Sequence, residues 1–168
     1  MLNPKEMRIV APKYEAENMK FRSFLKNRAN ADELDNHFKR LHEELFLGYD
    51  CCKCANCCKE YRICFYDNDI LNAAGLLNID QEKLIETYLV EGDENYVIEP
   101  PCSFLEEDGK CRIQQAKPIE CAEFPYTNKP ERLFSLLGVM EFAQSCPIVF
   151  EVVQRLKDIY NFRSRVRL

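Results

Sequence analysis

The sequence has no apolar run near the ~20 residues that a membrane-spanning helix takes. Its first residues, Met1-Leu2-Asn3-Pro4-Lys5-Glu6, carry no apolar h-region. No secretory signal and no membrane partner are therefore expected, and the chain reads as cytoplasmic. Positive charge is in deficit: 23 Lys and Arg stand against 28 Asp and Glu, a formal charge of −5. That balance argues against a phosphate-backbone binder, so nucleic acid is not an expected partner. Its one basic exception, Arg163, Arg165 and Arg167, reads as a solvated end or a helix-dipole partner. No Gly-rich phosphate loop, dinucleotide fingerprint or nucleophile elbow is present. The two histidines, His37 and His42, sit five apart on one predicted helix, on different faces and outside any H-E-x-x-H pattern. They read as surface or core-edge residues.

The chain also lacks repeats, linkers and low-complexity segments, so one domain over residues 1–168 is expected. Its parts are a helical segment 1–47, a core 48–147 and a terminal helix 147–162. With 46% hydrophobic residues the chain can build an ordinary core and does not need a metal as its only staple. Residues 14–28 are mildly amphipathic and predict a first helix. Asn30 followed by Glu33 resembles a capping box, and Leu34, Phe38, Leu41 and Leu45 repeat at helical spacing before Gly48. Residues 61–66 alternate weakly and predict a short strand. Asp67 and Asp69 open a helix with Ile70, Leu71, Ala74 and Leu77 inward. Asp80 caps another, carrying Leu84, Ile85, Tyr88 and Leu89. Residues 93–99 read as a loop and an extended stretch. Asp108-Gly109 folds the chain back between Cys102 and Cys111, and Lys117-Pro118 breaks it before Cys121. Pro147 starts the last helix, whose buried stripe is Val149, Val152, Val153, Leu156, Ile159 and Tyr160.

Cysteine is what the chain has in excess: ten in all, five of them between positions 51 and 58. Thiols so close in sequence cannot all pair as disulfides, which need set Cα and Cβ separations. In a reducing compartment metal or redox roles outrank disulfides. A tight C-x2-C-x2-C-C loop points successive sulfurs at a common centre. Adjacent Cys57 and Cys58 are expected to project in different directions, so that one tetrahedral ion does not take both. A C-x-x-C redox motif lacks its βαβ context here.

The run Cys51 to Cys58, then Cys102-x-Phe-Leu, Asp-Gly-x-Cys111, Lys-Pro-x-x-Cys121, Phe124-Pro125 and Cys146-Pro147, resembles the CxxCxxCC (YkgJ-like) cysteine-cluster family of zinc- or iron-chelating domains. The resemblance implies a ligand set of Cys51, Cys54, Cys57, Cys58, Cys102, Cys111, Cys121 and Cys146. Cys52 and Cys64 fall outside the pattern and read as small buried residues. This chain departs from the family at Lys117, Ala122 and Ile148, where an Arg, an Arg and a Gly are usual.

Eight thiols divide into two sets of four, the number that a zinc site and a cubane cluster both take. The C-x2-C-x2-C start with a distant Cys-Pro echoes bacterial ferredoxin ligation and favours an iron–sulfur cluster, [4Fe-4S], with Zn2+ as the alternative. The expected fold is mainly α, a small α-rich fold with irregular cysteine-bearing loops and a short hairpin, organised around a metal hub. Segments 51–58, 102–121 and 146 would converge there, walled by the helices 30–47 and 147–162. Lys53, Lys59, Arg62, Lys110, Arg112 and Lys117 interleave with the ligands and could offset thiolate charge. Four of them, Lys53, Lys59, Arg112 and Lys117, would favour a small anionic substrate or an anionic protein partner. Two function classes follow: an iron–sulfur protein with a redox or catalytic-accessory role, or a zinc-binding structural or metal-handling module without catalysis.

Overall fold

The structure is a computed structural model that describes residues 1–163, so Arg165 and Arg167 lie outside the described residues. Helix α1 (Met7–Val10) runs through a 3-10 turn into α2 (Glu15–Arg28), followed by α3 (Ala31–Phe46). The cysteine run forms α4 (Cys51–Cys54) and α5 (Asn56–Glu60). Strand β1 (Ile63–Phe65), α6 (Asp67–Leu77), α7 (Gln81–Tyr88), β2 (Val90–Glu91) and β3 (Tyr96–Ile98) come next. The chain then passes through α8 (Ile119–Glu123) to α9 (Arg132–Phe142) and α10 (Pro147–Ile159). The fold is mainly α with a small antiparallel sheet of order β1-β3-β2, as the patterning predicts. Among the described residues no helix is long and apolar enough to cross a membrane.

The described residues form two compact units, one from 1–49 with 125–163 and one from 50–124. In the first, α2 and α3 pack on α9, and α10 packs on α3 and α9. Phe21, Leu25, Leu34, Phe38, Leu136, Ile148, Val152 and Leu156 are fully buried there. The Asn30 side chain accepts from the Glu33 N–H at 3.0 Å, satisfying one orphan donor of α3. Gly48, at φ +75°, follows that helix in a conformation open to glycine. Most of the predicted α10 stripe is buried, with Ile159 and Tyr160 half-buried. His37 stacks edge-on against Tyr160, and His42 bonds Thr127 Oγ1 at 2.7 Å.

The 50–124 unit is built on a smaller core of Phe65, Ile70, Ala73, Ala74, Leu84, Leu89, Ile98, Phe104 and Ile113. The register Ile63↔Ile98 and Phe65↔Tyr96 sets β1 against β3. The sequence placed Leu71 inward on α6, but it is 54% exposed, and Ala73 takes the buried position. The small side chain there lets the helix lie close to the core. Helix α9 has no counterpart among the predicted elements.

Within the helical unit, Asn30→Ala is expected to cost about 1 kcal/mol as a lost cap. Phe38→Ala should cost about 3–5 kcal/mol as a core cavity. Denaturant unfolding measures both, and similar values for the two would contradict the packing described.

Candidate metal centre

The cysteine run is two short helices rather than a loop. The Asp50 side chain accepts from the Cys52 N–H at 3.0 Å and starts α4. Ala55 then turns left-handed at φ +52° and redirects the chain into α5. This break swings Cys57 and Cys58 back over the same side as Cys51. Their two sulfurs lie 4.0 Å apart, so adjacent cysteines do not diverge as the local geometry of sequence neighbours led us to expect.

Backbone bonds bring the second segment to the first. The Cys102 N–H donates to the Cys58 carbonyl at 2.8 Å. The Arg112 N–H donates to Phe104 O, and Leu105 pairs with Cys111, closing the turn predicted at Asp108-Gly109. Gly109 has φ +87°, and a Cβ there would come within 2.4 Å of the Cys52 carbonyl oxygen. Glycine thus lets this turn lie directly on α4. The third segment, α8, is tied down twice. Asp69, buried at the start of α6, accepts from the Ile119 N–H at 3.1 Å and from the Tyr66 N–H at 3.1 Å. Glu120 accepts from the Cys64 N–H on β1 at 3.0 Å. Cys121 follows directly after these two anchors.

The outcome is a cavity of about 90 Å³ lined by seven cysteines, Cys51, Cys52, Cys57, Cys58, Cys102, Cys111 and Cys121. Ile63, Phe65, Ile98, Phe104, Ile113 and Phe124 supply its apolar wall, and Lys117 is its one lining cation. Six of the sequence-predicted ligands are therefore together. Cys54 does not line the cavity, and Cys146 belongs to the helical unit, buried just before α10. Cys52, outside the family pattern, does line it. Cys64 lies on β1, and neither it nor Cys52 is fully buried as the sequence reading had them. Among the described residues no three His, Cys, Asp or Glu side chains close on a single point at metal-holding geometry. Seven cysteines line an open space instead.

Of the other predicted cations, Lys53 pairs with Asp50 at 3.5 Å and Arg62 with Glu99 at 2.9 Å. Lys110 pairs with Asp108, and Arg112 lies over the Tyr88 ring at 5.5 Å. The thiols respond to their confinement. A hydrogen bond from Cys57, helped by Lys117 and opposed by burial, lowers Cys58 to about 6. Burial raises Cys51, Cys102 and Cys111. Cys121 is pushed up to about 12, by burial first and then by the neighbouring sulfurs of Cys58, Cys102 and Cys111. The donor set suits a soft or borderline metal, which takes thiolates from such a pocket.

A family model matches residues 50–147: CxxCxxCC, "Putative zinc- or iron-chelating domain". The match spans more than half of the chain and takes in every cysteine described above. Searches of curated proteins and of solved structures find no match.

Two outcomes follow from this geometry. In metal-free protein at neutral pH, Cys58 should be the first thiol alkylated by iodoacetamide, since above about 6 the Cys57–Cys58 pair has given up a proton. Its labelling should fall as pH drops through 6, while Cys121 stays protonated and unlabelled until strongly alkaline pH. Peptide mass spectrometry reads both. Second, Gly109→Ala should destabilise the 50–124 unit by more than the ~1–2 kcal/mol of left-handed strain, because its Cβ also meets the Cys52 backbone. A thermal melt indistinguishable from the parent protein would contradict that contact.

Proposed function

The chain belongs to the CxxCxxCC family, and we propose that it holds an iron–sulfur cluster, a [4Fe-4S] centre, in the thiol-lined cavity of its 50–124 unit. Its role on this reading is redox or catalytic-accessory, in a reducing cytoplasm. One observation supports the choice of cluster over single ion: seven cysteines line about 90 Å³ of space. That is several times the ~10–15 Å³ that one water needs. A structural zinc site is closed, with four ligands drawn onto one ion. A cubane also takes four thiolates, but around a larger body.

Four of Cys51, Cys57, Cys58, Cys102, Cys111 and Cys121 would hold the cluster. Bound there, it would supply one-electron chemistry. Lys117 offsets thiolate charge, and Phe65, Phe104 and Phe124 keep water from the sulfurs, which are the protein's means of tuning a potential. Lys117 also makes the mouth of the cavity attractive to a small anionic substrate or an anionic protein surface.

A zinc-binding structural or metal-handling module is the second reading, and the Cys57–Cys58 pair favours it. Two sulfurs on one tetrahedral zinc with ~2.3 Å bonds lie ~3.8 Å apart, close to the 4.0 Å seen.

Anaerobic purification followed by visible absorption and elemental analysis separates the two. Brown protein with about four iron and four sulfide per chain is the expected result. Cys58→Ser and Cys121→Ser should each lose that metal. Colourless protein with stoichiometric zinc, unchanged by anaerobic reconstitution, would overturn the cluster and leave the zinc module.

A further inference from the structure

Seven cysteines line the cavity, a four-thiolate centre takes four, and the contacts divide them. Cys58 and Cys102 are joined through the main chain, the Cys102 N–H donating to the Cys58 carbonyl at 2.8 Å. Cys111 stands on the returning arm of the next turn, opposite Leu105, and the Arg112 N–H closes that arm on the Phe104 carbonyl at 2.9 Å. Cys102 and Cys111 pack on the same core cluster. Cys121 arrives on α8, fastened to α6 through Asp69 and to β1 through Glu120.

These four sulfurs are near enough to act on one another in every pairing. Cys58 and Cys111 both act on Cys102, Cys58 also acts on Cys111, and Cys121 feels all three. Cys51 keeps other company. The sulfurs that act on it belong to Cys54 and Cys52, its neighbours on α4, and the residue is exposed. Cys52 acts on Cys111 less than Cys58 does, and its thiol donates to Gln114 Oε1 at 4.0 Å. Cys57 donates in the same way to the Cys58 sulfur, also at 4.0 Å. A thiol that donates keeps its proton, and the metal ligand is the thiolate.

Resting on the reading that this cavity holds a metal centre, we propose that Cys58, Cys102, Cys111 and Cys121 are its ligands, with Cys57 a positioning residue that hydrogen-bonds the Cys58 thiolate. Cys51 and Cys52 line the cavity but stay off the metal. The C-x2-C-x2-C-C run then supplies one ligand and the hydrogen bond that orients and tunes it. The other three come from segments that only the fold brings near. The adjacent pair Cys57–Cys58 is thereby a ligand and its donor, not two ligands.

Single serine variants of the full-length protein at 51, 52, 58, 102, 111 and 121, reconstituted anaerobically with iron and sulfide or with zinc, test the assignment. Chelator competition should find metal affinity at least about tenfold weaker at 58, 102, 111 and 121, the least that losing even an outer partner costs. Affinity should be unchanged at 51 and 52. Cys57→Ala should keep the metal and lower the midpoint potential of the iron form, with Cys57→Ser restoring it, because hydrogen bonds to the sulfurs help set that potential. The loaded parent protein gives a second readout that no variant's folding can disturb. Iodoacetamide should label its Cys51 and Cys52 as fast as in metal-free protein, while Cys58 becomes protected. Iron lost from Cys51→Ser or Cys52→Ser as fully as from Cys121→Ser, or lost from Cys57→Ala, would overturn the assignment and leave the cluster standing. Zinc held with the same pattern of losses would remove the cluster and keep the four ligands. Failure to bind either metal would overturn both.

Discussion

Sulfurs gathered into a partly buried space repel one another as soon as they ionise, and the 50–124 unit is arranged around that repulsion. Cys121 shows its strength: burial and three neighbouring sulfurs push it up to about 12. Cys58 shows the countervailing force, falling to about 6 where Cys57 donates to it and Lys117 stands near. The protein supplies one lining cation for seven thiols. That is far too little positive charge to neutralise them in the ionised form. A bound metal centre removes the conflict, because it takes thiolates as ligands and brings its own positive charge.

Holding such groups together without disulfides falls to the backbone. The Cys58 carbonyl receives the Cys102 N–H, and Gly109 brings the 105–111 turn against the Cys52 carbonyl. Asp69 fixes the first residue of α8 and Glu120 ties the same helix to β1. None of these anchors is a thiol. Each fixes main chain at a cysteine or within two residues of one, which leaves the sulfurs to meet an ion by side-chain rotation.

Much of this was legible from residue order, and the gaps have physical causes. The Asn30 cap, the Leu34–Phe38–Leu41 stripe and the Asp108-Gly109 turn rest on local rules, and each appears where spacing places it. The Ala55 reversal does not follow from local rules. A left-handed non-glycine residue carries a steric penalty and is set by its surroundings, so the run from 51 to 58 read as a loop. Cys52 at the cavity and Cys54 off it are likewise set by packing and not by the C-x2-C spacing. Helix α9 had a signal, Leu133, Leu136, Leu137 and Met140 at helical spacing. Its exposed Phe134 and Leu137 blur that stripe into a general apolar run. Asp69 looked like a simple helix opener, and its second bond, to a residue 50 positions on, is tertiary.

The two units meet the cost of folding differently. The helical unit buries long apolar side chains from α2, α3, α9 and α10 and has a core typical of a helical bundle. The core cluster of the 50–124 unit has nine residues, two of them alanine, and half-buried Cys102 and Cys111 pack directly on it. Domains this small are marginal on apolar burial alone and commonly add a metal. Here the sulfurs that would bind the proposed centre also form one wall of the core. Metal binding and the packing of this unit would then be coupled, since Cys102 and Cys111 line the cavity and also pack on the core. A metal held in this cavity would therefore add to the stability of the unit whatever chemistry it performs.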